Sequence, residues 1–330
     1  MHLEEIRALE KCYVMQTYGR NEIALVSGEG ARLRDSEGKE YIDLTSGIGV
    51  SCLGYHHPAL SAAISDQAQK LMHCSNLFYS EPMAQVAEHL VKSTGLSRVF
   101  FANSGAEANE AMIKTARKYS SDRYGKDRYK IITLRQSFHG RTMTTLMATG
   151  QDKFHQYFYP FTEGFDYAAA NDIEELKDKA DDSVCAVMIE LIQGEGGVLP
   201  LDKEYVQQAA EFCRAKDILF LIDEVQTGIG RTGSLFCYEQ YGVKPDVVSM
   251  AKGLGGGVPV GAVMASEICA DVLGAGTHGT TFGGNPFCCA AARTVLSVVN
   301  KPEFLKEVQR KGEYLKNAIL AIGSDKIKTV

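Results

Sequence analysis

The chain of 330 residues carries 35 Lys and Arg against 41 Asp and Glu, which gives a formal net charge of −6. Hydrophobic residues make up 45% and charged residues 23%, a balance typical of a globular protein. The length predicts about two domains. The acidic charge argues against a nucleic-acid or anionic-membrane partner. Since the sequence shows no signal-type N-terminus and no 18-residue apolar run, we expect a cytoplasmic protein. The 9 cysteines form no CxxC pair, so neither a metal site nor a disulfide framework is predicted.

Short apolar runs separated by turn residues fill residues 22–52 and are typical of antiparallel strands. Two long helical segments, 58–72 and 83–94, follow, and 303–323 is predicted to form a final amphipathic helix. Between them, five short apolar runs alternate with helices: RVFFAN, KIITL, VCAVMIE, ILFLID and DVVSM. This alternation predicts an α/β domain with a buried, mostly parallel sheet. Ligands bind beyond the carboxyl ends of such strands, so candidate site residues should follow them directly.

The segment from Gly228 to Gly233 matches the G-x-G-x-x-G pattern of dinucleotide-binding turns. However, DEVQT separates it from the preceding strand, no clear helix follows, and no acidic residue closes a second strand at the required distance. We therefore do not predict a dinucleotide site here.

The strand RVFFAN runs into Ser104, and Glu107 follows three residues later, which is the pattern of a helix capping box. The same turn exposes backbone N–H groups at a positive helix end, which suits a phosphate. The residues alone leave both interpretations open. After KIITL comes SFHGR, where the arginine suits a carboxylate. Taken alone, Phe138 and Arg141 are better interpreted as ordinary structural residues at the end of a strand.

Asp223 ends the strand ILFLI, and a buried carboxylate needs a partner because an unpaired one is costly. A ligand cation or a protonated ring nitrogen is the partner favoured by its position at the sheet edge. Lys252 follows DVVSM directly and precedes several glycines, so a group could approach its amine and form a Schiff base. Thr280 and Thr281 lie in a glycine-rich turn that could meet a phosphate or be a plain loop.

The order and spacing of these motifs resemble the class III family of aminotransferases that depend on pyridoxal phosphate. The motifs are SGAEANE, SFHGRT, ELIQGEGG, DEVQTGIGRTG, AKGLGGG and HGTTFGGNP. Residues 18–58 are similar to the acetylornithine aminotransferase branch of that family. The resemblance implies a fold type I transferase, with a mostly parallel central sheet flanked by helices and a smaller α+β domain that looks incomplete at the C-terminus.

The resemblance also implies the site. Lys252 and Asp223 are the expected catalytic residues: Lys252 forms the Schiff base and moves the proton, and Asp223 pairs with the pyridinium nitrogen. The expected contacts to pyridoxal phosphate come from Ser104, Gly105, Ala106, Phe138, Asp223, Val225, Gln226, Lys252 and Thr281. Thr281 is expected to reach the phosphate of a neighbouring subunit in a homodimer. Arg141, Thr280 and Glu195 are the expected substrate contacts, with Arg141 as a clamp for the α-carboxylate.

The resemblance predicts three segments: 1–52 as the N-terminal part of a small domain, 53–295 as the large cofactor-binding domain, and 296–330 as the start of the C-terminal small domain. In longer family members a second arginine beyond Val330 pairs with the counterpart of Glu195. Substrates expected from the branch are N2-acetylornithine and 2-oxoglutarate. Succinylornithine, ornithine and 4-aminobutyrate stay open as alternative donors, as does a catalytically silent chain that only binds the cofactor.

Overall fold

The computed structural model describes residues 1–327 and 329–330. Its strands are β1 Leu25–Glu29, β2 Arg32–Asp35, β3 Glu40–Ile42, β4 Arg98–Ala102, β5 Lys130–Leu134, β6 Phe165–Ala168, β7 Val184–Ile189, β8 Ile192–Gln193, β9 Leu199–Pro200, β10 Leu219–Asp223, β11 Val247–Met250 and β12 Gly261–Ala265. Its α-helices are α1 Leu3–Tyr13, α2 Ser46–Gly49, α3 Pro58–Lys70, α4 Glu81–Thr94, α5 Gly105–Tyr124, α6 Met143–Ala148, α7 Ile173–Lys179, α8 Lys203–Ala215, α9 Tyr238–Tyr241, α10 Pro286–Val299 and α11 Pro302–Leu320. Short 3-10 helices span Asp152–Phe154, Lys252–Gly255 and Glu267–Cys269.

A seven-stranded sheet forms the centre of the molecule, in the order β4-β12-β11-β10-β7-β5-β6. The pairs from β11 to β6 are parallel, whereas β12 runs antiparallel to both of its neighbours. Strands β7 and β10 are buried along their whole length, which explains their continuous apolar runs. The predicted α/β architecture with a mostly parallel sheet is confirmed.

Two strands of this sheet escaped the sequence analysis. β6 has the sequence FDYA, which lacks a continuous apolar run, and β12 begins at Gly261 after a glycine-rich segment. A Cβ on Gly261 would overlap the carbonyl of Ser104, so only a glycine lets β12 lie this close to the turn after β4. The start of β12 thus depends on its close contact with the turn after β4, which the residues of β12 do not show by themselves.

The helices cover both faces of the sheet and leave its carboxyl edge open. α5 carries 9 buried residues and contacts β4, β10, β11 and β12, so its N-terminus is fixed at that edge. On the other face, α10 packs against α3 and α4. The glycines of the 228–233 segment serve packing: a Cβ on Gly230 would overlap Val299, and one on Gly233 would overlap Gln309.

The N-terminal region forms a separate three-stranded antiparallel sheet, β1-β2-β3, as the sequence predicts for residues 22–52. The proposed division at residues 52/53 and 295/296 stays a prediction. Within the described residues, no helix combines the length and apolar character needed to cross a membrane.

Candidate active site

A cavity of about 450 Å³ opens at the carboxyl edge of the large sheet. It gathers residues that the sequence separates by more than a hundred positions, because the carboxyl ends of parallel strands meet at one edge. Of the predicted site residues, it is lined by Ser104, Gly105, Ala106, Phe138, Arg141, Glu195, Asp223, Val225, Gln226 and Lys252.

Thr280 and Thr281 do not line this cavity. Asn103, which does, donates from Nδ2 to Thr280 Oγ1 at 3.1 Å, so Thr280 lies one residue behind the cavity wall. Thr281 is exposed and borders a separate, smaller cavity together with Asn76 and Phe78. Thr281 thus lies outside the cavity of its own chain, and its expected contact with the phosphate of a neighbouring subunit stays a prediction.

The Asp223 carboxylate is 4% exposed and is held by three good donors. Oδ2 accepts from Asn109 Nδ2 at 2.7 Å and from His139 Nδ1 at 2.8 Å, and Oδ1 accepts from the Val225 N–H at 2.9 Å. The Ser249 hydroxyl is 3.5 Å from Oδ1 but only 2.6 Å from Asn109 Oδ1, so its proton goes to the amide. A carboxylate has about four acceptor positions, which leaves one on Oδ1 for a donor in the cavity.

These partners refine the sequence interpretation of Asp223. The carboxylate is buried, as the sequence predicts, and it lines the cavity. The chain itself supplies Asn109 and His139 as partners, which the sequence analysis did not anticipate. Both are buried, and Asn109 Nδ2 also donates to the His139 carbonyl at 2.7 Å. The network fixes the direction of the carboxylate before any ligand arrives.

Lys252 lies two residues after the end of β11. Its backbone φ of 42° lies in the left-handed region that non-glycine residues rarely adopt. Such strain concentrates at functional sites. Burial lowers the pKa of Lys252 below its ordinary value, while Asp223, Glu195 and Glu190 oppose that shift. An amine with a lowered pKa is more often neutral and therefore a better nucleophile.

The turn from β4 into α5 forms a helix cap and places the first N–H groups of the helix at the cavity. Ser104 Oγ accepts from the Glu107 N–H at 3.2 Å, but the Glu107 carboxylate accepts from the Asn103 N–H rather than from Ser104, so only half of the predicted capping box forms. The N–H groups at the start of a helix have no intrahelical acceptor, and those of Gly105 and Ala106 lie at the cavity wall. The cap is therefore observed, and the phosphate site stays a prediction that these N–H groups allow.

Gly105 is required at that turn by its neighbour. A Cβ there would come within 2.6 Å of Val225 Cγ1, closer than any real contact. The missing side chain lets the helix end and the Val225 wall meet, which keeps the anion site beside Asp223.

Glu190 is a further site residue that the sequence analysis missed. It follows β7, lines the cavity, and accepts from the Phe138 N–H at 2.8 Å. Burial raises its pKa to about 7, while the nearby His139 opposes that shift. The sequence does contain the pattern that would identify it, since Glu190 follows a buried apolar run just as Asp223 does. Asn109 gave no such signal, because only the packing of α5 shows that it points toward Asp223.

The arrangement can be tested against pyridoxal phosphate, the cofactor that the resemblance implies. That molecule needs an amine for its aldehyde, an acceptor for its ring N–H, and donors for its phosphate. Lys252, the open position on Asp223, and the free N–H groups of Gly105 and Ala106 provide these three around one cavity. The residues present fit the cofactor.

Comparison with known proteins agrees with this chemistry. The family model for aminotransferase class-III matches residues 13–330. Acetylornithine aminotransferase of Haemophilus ducreyi is 52% identical over 98% of this chain and 82% of its own length. Acetylornithine aminotransferase of Caldanaerobacter subterraneus is 54% identical over 94% of this chain and 79% of its own.

Among solved structures, the ornithine aminotransferase of Toxoplasma gondii superimposes with a TM-score of 0.92 at 34% identity, covering 96% of this chain and 76% of that one. Sequence and structure comparisons thus each match nearly the whole of this chain to aminotransferases. The chain belongs to the class III aminotransferases, which are enzymes dependent on pyridoxal phosphate.

Proposed function

We propose that this enzyme transfers the δ-amino group of N2-acetyl-L-ornithine to 2-oxoglutarate, giving N-acetyl-L-glutamate 5-semialdehyde and L-glutamate, a step of arginine biosynthesis. The observation that carries the chemistry is the meeting of Lys252, Asp223 and the start of α5 at one cavity. The choice of donor is supported by the two acetylornithine aminotransferases that are 52% and 54% identical to this chain.

When bound, pyridoxal phosphate supplies an electron sink for the carbon that loses a proton. Lys252 Nζ would hold the cofactor and, as the nearby base, would accept the proton that Cδ of the donor loses. Asp223 accepts the ring N–H and keeps that nitrogen protonated. Gly105 and Ala106 receive the phosphate through backbone N–H groups at the positive end of α5.

Phe138 and Gln226 also line the cavity and complete the proposed cofactor contacts. Phe138 is fixed through its N–H to Glu190, which suits a ring that stacks on the cofactor. Arg141 binds the α-carboxylate of the donor by paired N–H contacts. Glu195 and Thr280 are the remaining proposed substrate contacts.

The test is the absorbance spectrum of the purified protein with N2-acetyl-L-ornithine and no acceptor. We expect the yellow band of the bound cofactor to bleach, and 2-oxoglutarate to restore it. The Lys252→Ala variant is the control, and it should bind cofactor but lose turnover. A band that persists with this donor yet bleaches with succinylornithine, ornithine or 4-aminobutyrate would reassign the donor. A protein that shows no band after addition of pyridoxal phosphate would contradict the proposed chemistry.

We further propose a homodimer in which Thr281 contributes to the site of the second subunit. The turn that carries Thr281 is held to Asn76, whose Nδ2 donates to the carbonyls of Thr280 at 3.1 Å and Gly283 at 2.9 Å. Around this turn the chain exposes several large apolar side chains: Leu77, Phe78, Tyr79 and Phe282. A patch of this kind on a soluble protein is typical of an interface.

Light scattering tests the dimer. We expect a mass twice that of the chain, and a Tyr79→Asp variant should dissociate. Tyr157→Asp, which changes an exposed tyrosine far from the turn in sequence, is the matched control and should stay dimeric. A monomeric wild-type protein would contradict the proposal. The cytoplasmic location remains a prediction from the sequence.

A further inference from the structure

Arg141 contacts aromatic rings rather than carboxylates within the described part of the chain. Its guanidinium carbon lies 4.3 Å from the ring centroid of Phe154 and 5.6 Å from that of Phe138. The two rings meet edge to face, with centroids 6.0 Å apart. Arg141 is itself exposed at the cavity mouth, so these rings are what limits its orientation.

Phe154 is firmly attached to the loop that carries Arg141. Its own N–H donates to the Gln151 carbonyl at 3.0 Å, and Gln151 Nε2 donates to the Ser137 carbonyl at 2.9 Å. The Gly150 N–H donates to Ser137 Oγ at 3.0 Å. Since Ser137 directly precedes Phe138, the ring of Phe154 keeps its place relative to the loop after β5.

We propose that Phe154 is a positioning residue that holds Arg141 ready for a carboxylate and thereby favours amino donors that carry one. This inference rests on the proposed function, in which Arg141 binds the donor's α-carboxylate. A carboxylate partner would use up the N–H groups of the guanidinium and compete with substrate. An aromatic face attracts the cation through its ring electrons and leaves those five N–H donors available.

A second cation strengthens the preference for an anionic donor. Lys153 Nζ lies 4.9 Å from the same Phe154 ring, so two positive charges flank it. A donor without a carboxylate would gain no charge attraction from this pair.

The experiment uses the holoenzyme and two probes derived from N2-acetyl-L-ornithine. N-acetyl-L-norvaline lacks the δ-amine, so it cannot react and reports carboxylate binding by calorimetry. N-acetylputrescine lacks the carboxylate and reports the amine reaction. In Phe154→Leu we expect about threefold weaker binding of N-acetyl-L-norvaline, as the loss of one exposed cation–π contact predicts. The ratio of kcat/KM for N2-acetylornithine over N-acetylputrescine should fall by a similar factor, through KM rather than kcat.

Two matched variants serve as controls. Phe154→Tyr keeps the aromatic face and should retain both the binding and the ratio. Phe161→Leu makes the same change on the same loop, at a ring that contacts His155 and Tyr159 instead of Arg141, and should also retain both.

Arg141→Gln separates this inference from the proposed function. If it weakens N-acetyl-L-norvaline binding while Phe154→Leu does not, only the role of Phe154 is overturned. If Phe154→Leu lowers kcat/KM for both amine donors equally, a general loop defect replaces positioning. If Arg141→Gln leaves binding unchanged, the carboxylate clamp fails and the role of Phe154 fails with it.

Discussion

Asp223 and Glu224 are consecutive residues at the end of β10, both are buried, and they serve different parts of the molecule. The Asp223 carboxylate lies at the cavity. Donors from α5 and from the loop after β5 hold it and leave one acceptor position open. Glu224 faces the segment that follows β10. There it accepts from Thr227 Oγ1 at 2.8 Å and from the N–H groups of Cys237 at 2.9 Å and Tyr238 at 2.7 Å.

The difference shows that burial of a carboxylate does not by itself indicate a catalytic site. Successive side chains at a strand end point to opposite faces, so neighbouring acids can meet unrelated surroundings. Burial raises the pKa of Glu224 to about 7, while its donors oppose that shift. Its three partners all lie in residues 227–238, so its hydrogen bonds hold that segment against the end of β10. We therefore interpret Glu224 as a structural residue. Asp223 is distinguished by its place at the cavity wall, which Glu224 does not line.

The strongest test of the comparison is Asp223→Asn. We expect kcat/KM to fall by roughly a thousandfold, because a fixed charge at the reacting ring is lost while the shape is kept. The free energy of unfolding, measured in urea, should change by far less than the free-energy equivalent of this loss in kcat/KM. Steady-state kinetics and unfolding on the same preparation decide the point; near-normal activity would remove Asp223 from the catalytic residues.

Glu224→Ala should show the opposite pattern. Three buried donors lose their acceptor, which we expect to cost about 4 kcal/mol in the free energy of unfolding. Glu211→Ala, at an exposed position on α8, is the control and should stay within about 0.5 kcal/mol of wild type. A loss no larger than that of the control would contradict the structural role of Glu224.

Glu190 tests the boundary between the two cases, because it is buried like Glu224 and lines the cavity like Asp223. Since folding raises its pKa to about 7 from 4.5, its stabilising contribution is complete below the unfolded value and is lost as the pH rises through about 7. The neutral Glu190→Gln variant should therefore gain on wild type between about pH 5 and pH 8. We expect a gain on the order of 2 kcal/mol, measured by urea unfolding at both values. A difference that is the same at both pH values would contradict the shift.

The sequence predicted five strands of the large sheet because each is a short apolar run beside an amphipathic helix. It missed β6 and β12, whose residues become strands only through their neighbours. For the candidate site, Lys252 and Asp223 were visible as polar residues directly after buried runs. Glu190 met the same criterion and was passed over, whereas Asn109 and His139 could not be found this way, because their orientation depends on how α5 and the loop after β5 pack.

Local sequence thus determined five strands of the large sheet and the family, since apolar runs and motif spacing are properties of the chain itself. Tertiary structure decided which neighbours share a cavity. It directed Asp223 toward the site and Glu224 away from it, seated Arg141 on Phe154, and left Thr281 outside the single-chain cavity. The physical reason is that hydrogen bonds and ring contacts between distant segments depend on distances of a few ångströms, which only the packed sheet and its helices fix.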